Sequence, residues 1–457
     1  MLTITMVAFE SLAIATVMPQ VKDDLGGLSL YGWVFSGFFL ASLLGIVVSG
    51  QLADRRGLAL PFAAGLVFFA VGLVLGGFAQ SMPVLVAGRL AQGFGAGAIP
   101  SVAYAAIGRG YPPSLRPRML ATTSTAWVVP GLIGPAVATL VEHAWSWRLV
   151  FLGLLPIVVI AGAMTIPALR ALGAGTAGDR SGSDDRSPSR NPEIDPAAAE
   201  LVAADRRRLR RVVLLVLGVG AVLAATSGAT LALAVPLLLV GFPLSAWAFV
   251  GLVPPGTLRL RPGLPATVAV RGILTCAFFG ADAYVSLAII DGKGGSTWIV
   301  GAALSAGSLT WACASWTQAR LIDQLGPRRL VAVGLAVLVI ANGLMLAMAL
   351  GLSVWVAVVS WAIGGFGMGL AYSPLSITVL AAAKPGEEGV DSAALQLSDA
   401  LGIAIGTGIG GSVIALSHAN RWAVSSGTAV VFAISVVVGV IGLLATRRLP
   451  REVPGSH

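Results

Sequence analysis

Two ionisable residues stand inside apolar runs, where a leucine would be the inexpensive choice. Glu10 lies about eight residues from either end of the run Leu2 to Met18. A carboxylate at bilayer depth is costly when charged, so it must face a cavity or a partner, and it is a natural place for a proton to be taken up and released. Arg89 keeps its charge at any physiological pH, so burying it requires a counter-charge or a cluster of carbonyls. Gln92 lies beside it, next to a ladder of glycines that permits close backbone approach. Asp282 and Asp399 are the remaining acids in apolar stretches. Asp282 is expected near the outer mouth of its span, with Arg271 near the inner end. Each of these three can be read as cavity lining or as local pairing. The plainer alternatives are a carboxyl hydrogen-bonded between helices for Glu10 and a snorkelling or structural side chain for Arg89. The chemistry on offer is proton transfer and ion pairing. No His/Asp/Cys cluster or phosphate-binding loop suggests catalysis, and His143, His418 and His457 are scattered.

The elements that must position these groups are membrane spans. Hydrophobic residues make up 56% of the 457 and charged residues only 11%, against roughly 25% charged in soluble domains. Mean hydropathy is +0.90. The apolar residues fall in runs near the ~20 needed to cross a bilayer. Fourteen spans are expected, near 2–19, 31–51, 60–79, 83–108, 119–141, 148–169, 212–227, 229–251, 265–290, 296–319, 330–350, 353–374, 391–416 and 425–446. With the N-terminus inside, the outer loops hold only Lys22, Arg148, Lys293 and Arg421. Arg89 and Arg271 fall within spans, leaving 23 of the 29 basic residues on the cytoplasmic side. That asymmetry is the positive-inside pattern and places both termini in the cytoplasm. The net charge of +9 therefore reads as topology rather than as nucleic-acid binding. Trp145, Trp147, Trp298, Trp355 and Trp422 are expected at the outer boundary. Cys276 and Cys313 fall within spans, as small packing residues. No cleavable signal peptide is apparent; the first run is short for a span, which leaves the true start open.

The chain says one thing twice. Gly50-Gln51-Leu52-Ala53-Asp54-Arg55-Arg56-Gly57 has a degenerate copy in Arg320-Leu321-Ile322-Asp323-Gln324-Leu325-Gly326-Pro327-Arg328-Arg329. Gly93-Phe94-Gly95-Ala96-Gly97 has a copy in Gly365-Phe366-Gly367-Met368-Gly369. The offsets are 323 − 54 = 269 and 365 − 93 = 272. Two unrelated motifs recurring at nearly one offset indicate a duplicated half. Two six-span halves joined directly would be offset by fewer residues, so the spacing leaves room for a linker and two further spans. The expected organisation is a bundle over 1–169, a disordered cytoplasmic linker over 170–211, two extra spans over 212–251, a second bundle over 252–447 and a tail over 448–457.

These residues carry a family signature. The chain resembles the major facilitator superfamily, in particular its fourteen-span drug:proton antiporter branch. Gly50, Leu52, Asp54, Arg55 and Gly57 match the loop motif after span 2. Arg89-Leu90-Ala91-Gln92-Gly93-Phe94-Gly95 matches the span 4 motif, and Pro130-Gly131-Leu132-Ile133-Gly134-Pro135 the antiporter motif of span 5. The resemblance implies an all-α polytopic fold, two six-helix bundles around a central cavity plus two extra helices, working by alternating access. It implies that Glu10 and Arg89 serve proton coupling, and that Asp54, Arg55 and Gly57 form a cytoplasmic gate with Asp323, Gly326 and Arg328 as its counterpart. Pro130, Gly131, Gly134 and Pro135 would bend span 5, which favours export over uptake. The chain departs from the pattern in three places: Leu58-Ala59-Leu60 replace basic residues after Gly57, Val137 and Ala138 replace a glycine pair, and the span 1 acid is Glu10 where relatives commonly have Asp.

The expected function is proton-coupled efflux of amphipathic small molecules from a plasma (inner) membrane by a monomer in contact with lipid. No cofactor is expected beyond the proton gradient, and no nucleic acid. A substrate-specific metabolite exporter or an uptake symporter would use the same parts; a non-transporting membrane sensor would not need them.

Overall fold

In lipid every backbone N–H and C=O must be satisfied within the protein, so long apolar runs become helices. The computed structural model describes residues 2–110, 115, 119, 126, 128–178, 196–227, 230–382 and 388–452, and no strand occurs among them. The α-helices are α1 (Leu2–Leu25), α2 (Tyr31–Arg56), α3 (Ala59–Gly77), α4 (Met82–Gly110), α5 (Val128–Ala144), the short α6 (Arg148–Leu152), α7 (Leu155–Gly178), α8 (Pro196–Thr226), α9 (Leu231–Val250), α10 (Leu264–Asp282), α11 (Val285–Lys293), α12 (Thr297–Leu350), α13 (Val356–Ala382), α14 (Glu388–Ala419) and α15 (Val424–Ala445).

Among the described residues twelve helical stretches are long and apolar enough to cross a membrane, two fewer than the fourteen expected. One difference lies in α12, a 54-residue stretch covering the expected spans 296–319 and 330–350. At 1.5 Å per residue such a helix would be about 80 Å long, far more than a bilayer. Gly326, at φ 72° and ψ 160°, interrupts it, and Pro327 follows directly. The other difference is the expected span 119–141, most of whose first half lies outside the described residues; its second half is the 17-residue α5.

The expected linker is also shorter than anticipated. Helix α7 runs on to Gly178 and α8 begins at Pro196, because Ala, Leu and Arg are strong helix formers and fill 196–211. Residues 179–195 lie outside the described residues.

Packing divides the helices into two sets. Helices α2, α3 and α4 pack together, with α1 against α5. Helix α10 packs against α13, α14 and α15, and α12 against α13 and α15. The sets meet along α2–α14, α5–α12 and α1–α11. Helices α8 and α9 pack on each other, and α8 also touches α2 and α14 at that seam. Helix α9 presents Leu239, Val240 and Phe242 outward, as a lipid-facing helix would.

The duplicated motifs do the same local job twice. Gly57 (φ 78°, ψ 175°) and Gly326 (φ 72°, ψ 160°) adopt one backbone conformation that is essentially reserved for glycine. A Cβ on Gly93 would strike the backbone of Phe38 in α2, and one on Gly365 the backbone of Gly307 in α12. In each half, then, these glycines let two helices touch main chain to main chain.

Candidate functional site: a bonded carboxylate in each half

Helix α1 brings Glu10 and helix α4 brings Arg89 and Gln92 to one point inside the first half. All three are buried, with exposures of 1%, 1% and 0%. Arg89 Nη1 donates to Glu10 Oε1, forming an ion pair, and to Gln92 Oε1 at 3.0 Å. Gln92 Nε2 donates to Glu10 Oε1 at 3.3 Å, and Arg89 Nε donates to the Val34 carbonyl at 3.0 Å. The guanidinium also lies over the Phe38 ring, 4.2 Å from its centroid. The cation is therefore held by a carboxylate, an amide, a carbonyl and a ring. Glu10 Oε2 is buried and has no hydrogen-bond partner among the described residues, which leaves one carboxylate oxygen able to accept a proton.

In the second half α10 carries Arg271 and Asp282, eleven residues apart and so on one helical face. Arg271 Nε donates to Asp399 Oδ1 of α14 at 2.8 Å, and Arg271 Nη1 to the Tyr372 carbonyl at 2.7 Å and Ser376 Oγ at 3.3 Å. The Tyr372 hydroxyl donates to Asp399 Oδ2 at 3.0 Å, and the Arg271 guanidinium sits over that same ring. Of the two readings open for Arg271 and Asp399, pairing with each other is what the structure has. Asp282 is elsewhere. Its Oδ1 accepts from Trp361 Nε1 at 2.8 Å, and Phe278, one turn earlier, stacks on that indole at 5.4 Å. Helices α10 and α11 together form one apolar stretch, Leu264–Lys293, and Asp282 stands at the break between them. Tyr372, Trp361 and Phe38 were not singled out by residue type alone.

The residues of the two Asp-x-x-Gly loops, expected to form a gate, are at or beside helix ends. Asp54 and Arg55 are exposed at the end of α2. Arg55 Nη2 bonds Asp205 Oδ2 of α8 at 3.2 Å, and Gln51 Nε2 donates to the Asp205 carbonyl at 2.7 Å. The first loop is thus tied to α8. Asp323 is exposed and Arg328 half-buried on either side of Gly326, where a Cβ would collide with the Arg451 carbonyl.

Helix α5 contains Pro130 and Pro135 and lies in the seam. A Cβ on Gly131 would meet Ser308 of α12 at 3.2 Å, and one on Gly134 would meet Phe9 of α1 at 3.5 Å. The bend motif therefore touches both halves and the neighbour of Glu10. At the end of α1 the halves are bridged again: Lys22 Nζ bonds Asp291 Oδ1 of α11 at 2.5 Å, and Gln20 Nε2 donates to Thr297 Oγ1 at 3.0 Å.

Trp145, Trp298, Trp355 and Trp422 are exposed, while Trp147 is buried and donates to Asp24 Oδ2 at 3.1 Å. One smaller expectation is corrected. Cys313 is exposed rather than a packing residue, and Cys276 is half-buried.

A helical membrane protein with a duplicated motif set and buried ionisable clusters inside each half belongs to the class of secondary transporters. Residues 1–407 match the family described as Major Facilitator Superfamily, so the chain belongs to that family and is a multi-pass membrane transporter. It is 29% identical over 458 residues to a probable multidrug-efflux transporter of Mycobacterium tuberculosis (strain ATCC 25618 / H37Rv), an alignment covering 95% of this chain and 92% of that one. It is 32% identical over 151 residues to multidrug resistance protein 3 of Bacillus subtilis (strain 168), covering 33% of this chain and 30% of that one. Among solved structures, an auto-inhibited POT family peptide transporter shares the fold with a TM-score of 0.65 at 16% identity, covering 100% of this chain and 98% of that one. The human organic anion transporter MFSD10 (TETRAN) does so with a TM-score of 0.59 at 17% identity, covering 97% and 98%.

Proposed function

We propose that the protein is a proton-coupled exporter of amphipathic small molecules, working by alternating access as a member of the fourteen-span drug:proton antiporter branch. The observation that carries this reading is the buried Glu10–Arg89–Gln92 cluster with its unpartnered carboxylate oxygen. The likeness to a multidrug-efflux transporter along almost the whole chain supports it. Protonation of Glu10 removes the carboxylate charge and leaves the Arg89 cation with neutral acceptors only, which weakens the hold of α1 on α4. Helix α1 also carries Lys22 and Gln20, whose bonds to Asp291 and Thr297 bridge the halves. A proton on Glu10 thereby biases the element that must move. Outside, proton uptake accompanies substrate release; inside, proton loss accompanies substrate binding. Asp54, Arg55 and Gly57, with Asp323, Gly326 and Arg328, gate the cytoplasmic side, while Pro130, Gly131, Gly134 and Pro135 let α5 flex in the seam. The protein acts as a monomer in the plasma membrane, with both termini cytoplasmic.

The test is transport in proteoliposomes with an imposed proton gradient, using ethidium as a lipophilic cationic probe within a broad panel. Gradient-dependent movement is expected for wild type and its loss for Glu10→Gln. Undiminished transport by Glu10→Gln would remove Glu10 from coupling, and no gradient-dependent movement of any panel member would sink the exporter reading.

A further inference from the structure

The offset of 272 residues that relates Gly93 to Gly365 has a second use. Added to Glu10 it lands on Asp282, and added to Arg89 it lands on Trp361. Those two residues are hydrogen-bonded to each other, Trp361 Nε1 to Asp282 Oδ1 at 2.8 Å. The molecule therefore holds two equivalent arrangements, each a carboxylate on the first helix of a half bonded by a residue on the helix that carries the glycine ladder. They differ in the donor. Arg89 brings a full positive charge; the Trp361 indole is a neutral N–H.

We propose that Asp282, held by Trp361, is a second proton-binding carboxylate of the transporter. The inference rests on the exporter reading above and extends it to the number of protons exchanged. Two observations support it besides the internal symmetry. First, Asp282 is the last residue of α10, where the crossing stretch Leu264–Lys293 breaks before α11 resumes at Val285. Non-helical backbone at membrane depth is tolerated where it is buried in protein or lines an aqueous cavity, and broken helices line the ion sites of transporters. Second, among the described residues no ion pair reaches Asp282. Helices α13 and α15, packed on α10, contain no charged residue. Arg271, on α10 itself, is engaged by Asp399; the other charged residues of α14 are Glu388, Asp391 and His418, near its ends. The charges of α12 (Arg320, Asp323, Arg328 and Arg329) cluster around its Gly326 break. Arg259, Arg447 and Arg448 belong to short 3₁₀ turns, of which the Arg448 carbonyl accepts from Gly263 at the opposite end of α10. On α11, Asp291 is taken by Lys22, and Lys293 ends the helix. The other titratable side chains of the region are thiol and phenol groups: Cys276, Tyr31 (whose hydroxyl donates to the Ala283 carbonyl), Tyr284 (whose hydroxyl donates to the Thr407 carbonyl) and Tyr372 (which donates to Asp399).

An ionised Asp282 would thus be a charge in an apolar helix break with one neutral donor to steady it, an expensive state. Bound to a proton the site is neutral. Asp282 is half-buried where Glu10 is fully buried, so it keeps a face through which a proton can arrive. The step is simple: the carboxylate takes a proton from outer water and returns it to inner water, and the gradient between the two supplies the energy.

Infrared difference spectra of the full chain in lipid, acid minus alkaline, test this without any substrate. Wild type should show carboxylic C=O bands; Asp282→Asn should lose one, Glu10→Gln should keep it, and Trp361→Phe should shift it by removing the N–H donor while retaining the ring. An unchanged band pattern in Asp282→Asn would overturn the proposal, as would a band insensitive to Trp361→Phe. Ethidium exchange adds a second readout. At zero membrane potential a tenfold proton gradient supports up to about a hundredfold dye gradient with two protons per dye, and about tenfold with one. Asp282→Asn should fall from the former to the latter. If the band is lost but no probe is ever moved, the proton site stands and the exporter reading fails; if ethidium moves but the band persists, only the second site fails.

Discussion

The two halves solve one problem differently. In the first, a carboxylate inside an unbroken helix is neutralised by a guanidinium that is itself held by an amide, a carbonyl and a ring. In the second, the equivalent carboxylate stands at a helix break and meets an indole N–H clamped by Phe278. The guanidinium of that half sits eleven residues away on α10, bonded to Asp399. Duplication copied the positions of the acids but not the positions of their counter-charges. An ion pair and a neutral hydrogen bond respond differently to a proton, so two copies of one scaffold can serve two steps of a cycle.

Removing the donor from each site should break this comparison most sharply. Arg89→Met leaves Glu10 buried without its cation and should cost about 3–5 kcal/mol of stability, read as a lowered unfolding temperature in detergent. Combining it with Glu10→Gln should recover part of the loss, since two neutral groups need no pairing. An Arg89→Met protein as stable as wild type would mean that the pair is not formed in the membrane. Trp361→Phe should be far milder, about 1 kcal/mol for one lost hydrogen bond, because the stack on Phe278 survives. Equal losses at the two positions would erase the distinction between a charged and a neutral clamp. The smallest effect belongs to the exposed end of the first half. Arg55 and Asp205 are 48% and 41% exposed, so Arg55→Ala should change stability by at most about 0.5 kcal/mol, and less at high salt. A larger, salt-independent loss would show that the tie between α2 and α8 supports the fold rather than only restraining a gate.

Much of this was legible in residue order. Glu10, Arg89 and Gln92 stood out because a charge in an apolar run is conspicuous, and the structure brings all three together. The loop motif was legible through Gly57 and Gly326, since an Asp-x-x-Gly turn needs a backbone conformation that only glycine adopts cheaply. Trp361 and Tyr372 were not conspicuous, because an aromatic residue in a membrane helix has many ordinary uses. Applying the offset from Gly93 to Gly365 to Glu10 and Arg89 would have found Trp361. Nothing comparable announces Tyr372. The count of spans differs at α12, where the runs expected as two spans follow each other without a loop and only Gly326 breaks the helix between them.

Length and polarity of apolar runs are local properties, so the sequence alone determined that the chain is a bundle of membrane helices, duplicated, with acids at set depths. Which acid meets which base was decided by the tertiary structure. Helices this uniformly apolar lack a strong stripe to show which face turns inward. Only the rotation of α10 against α13 and α14 settles that Arg271 reaches Asp399 and leaves Asp282 to an indole.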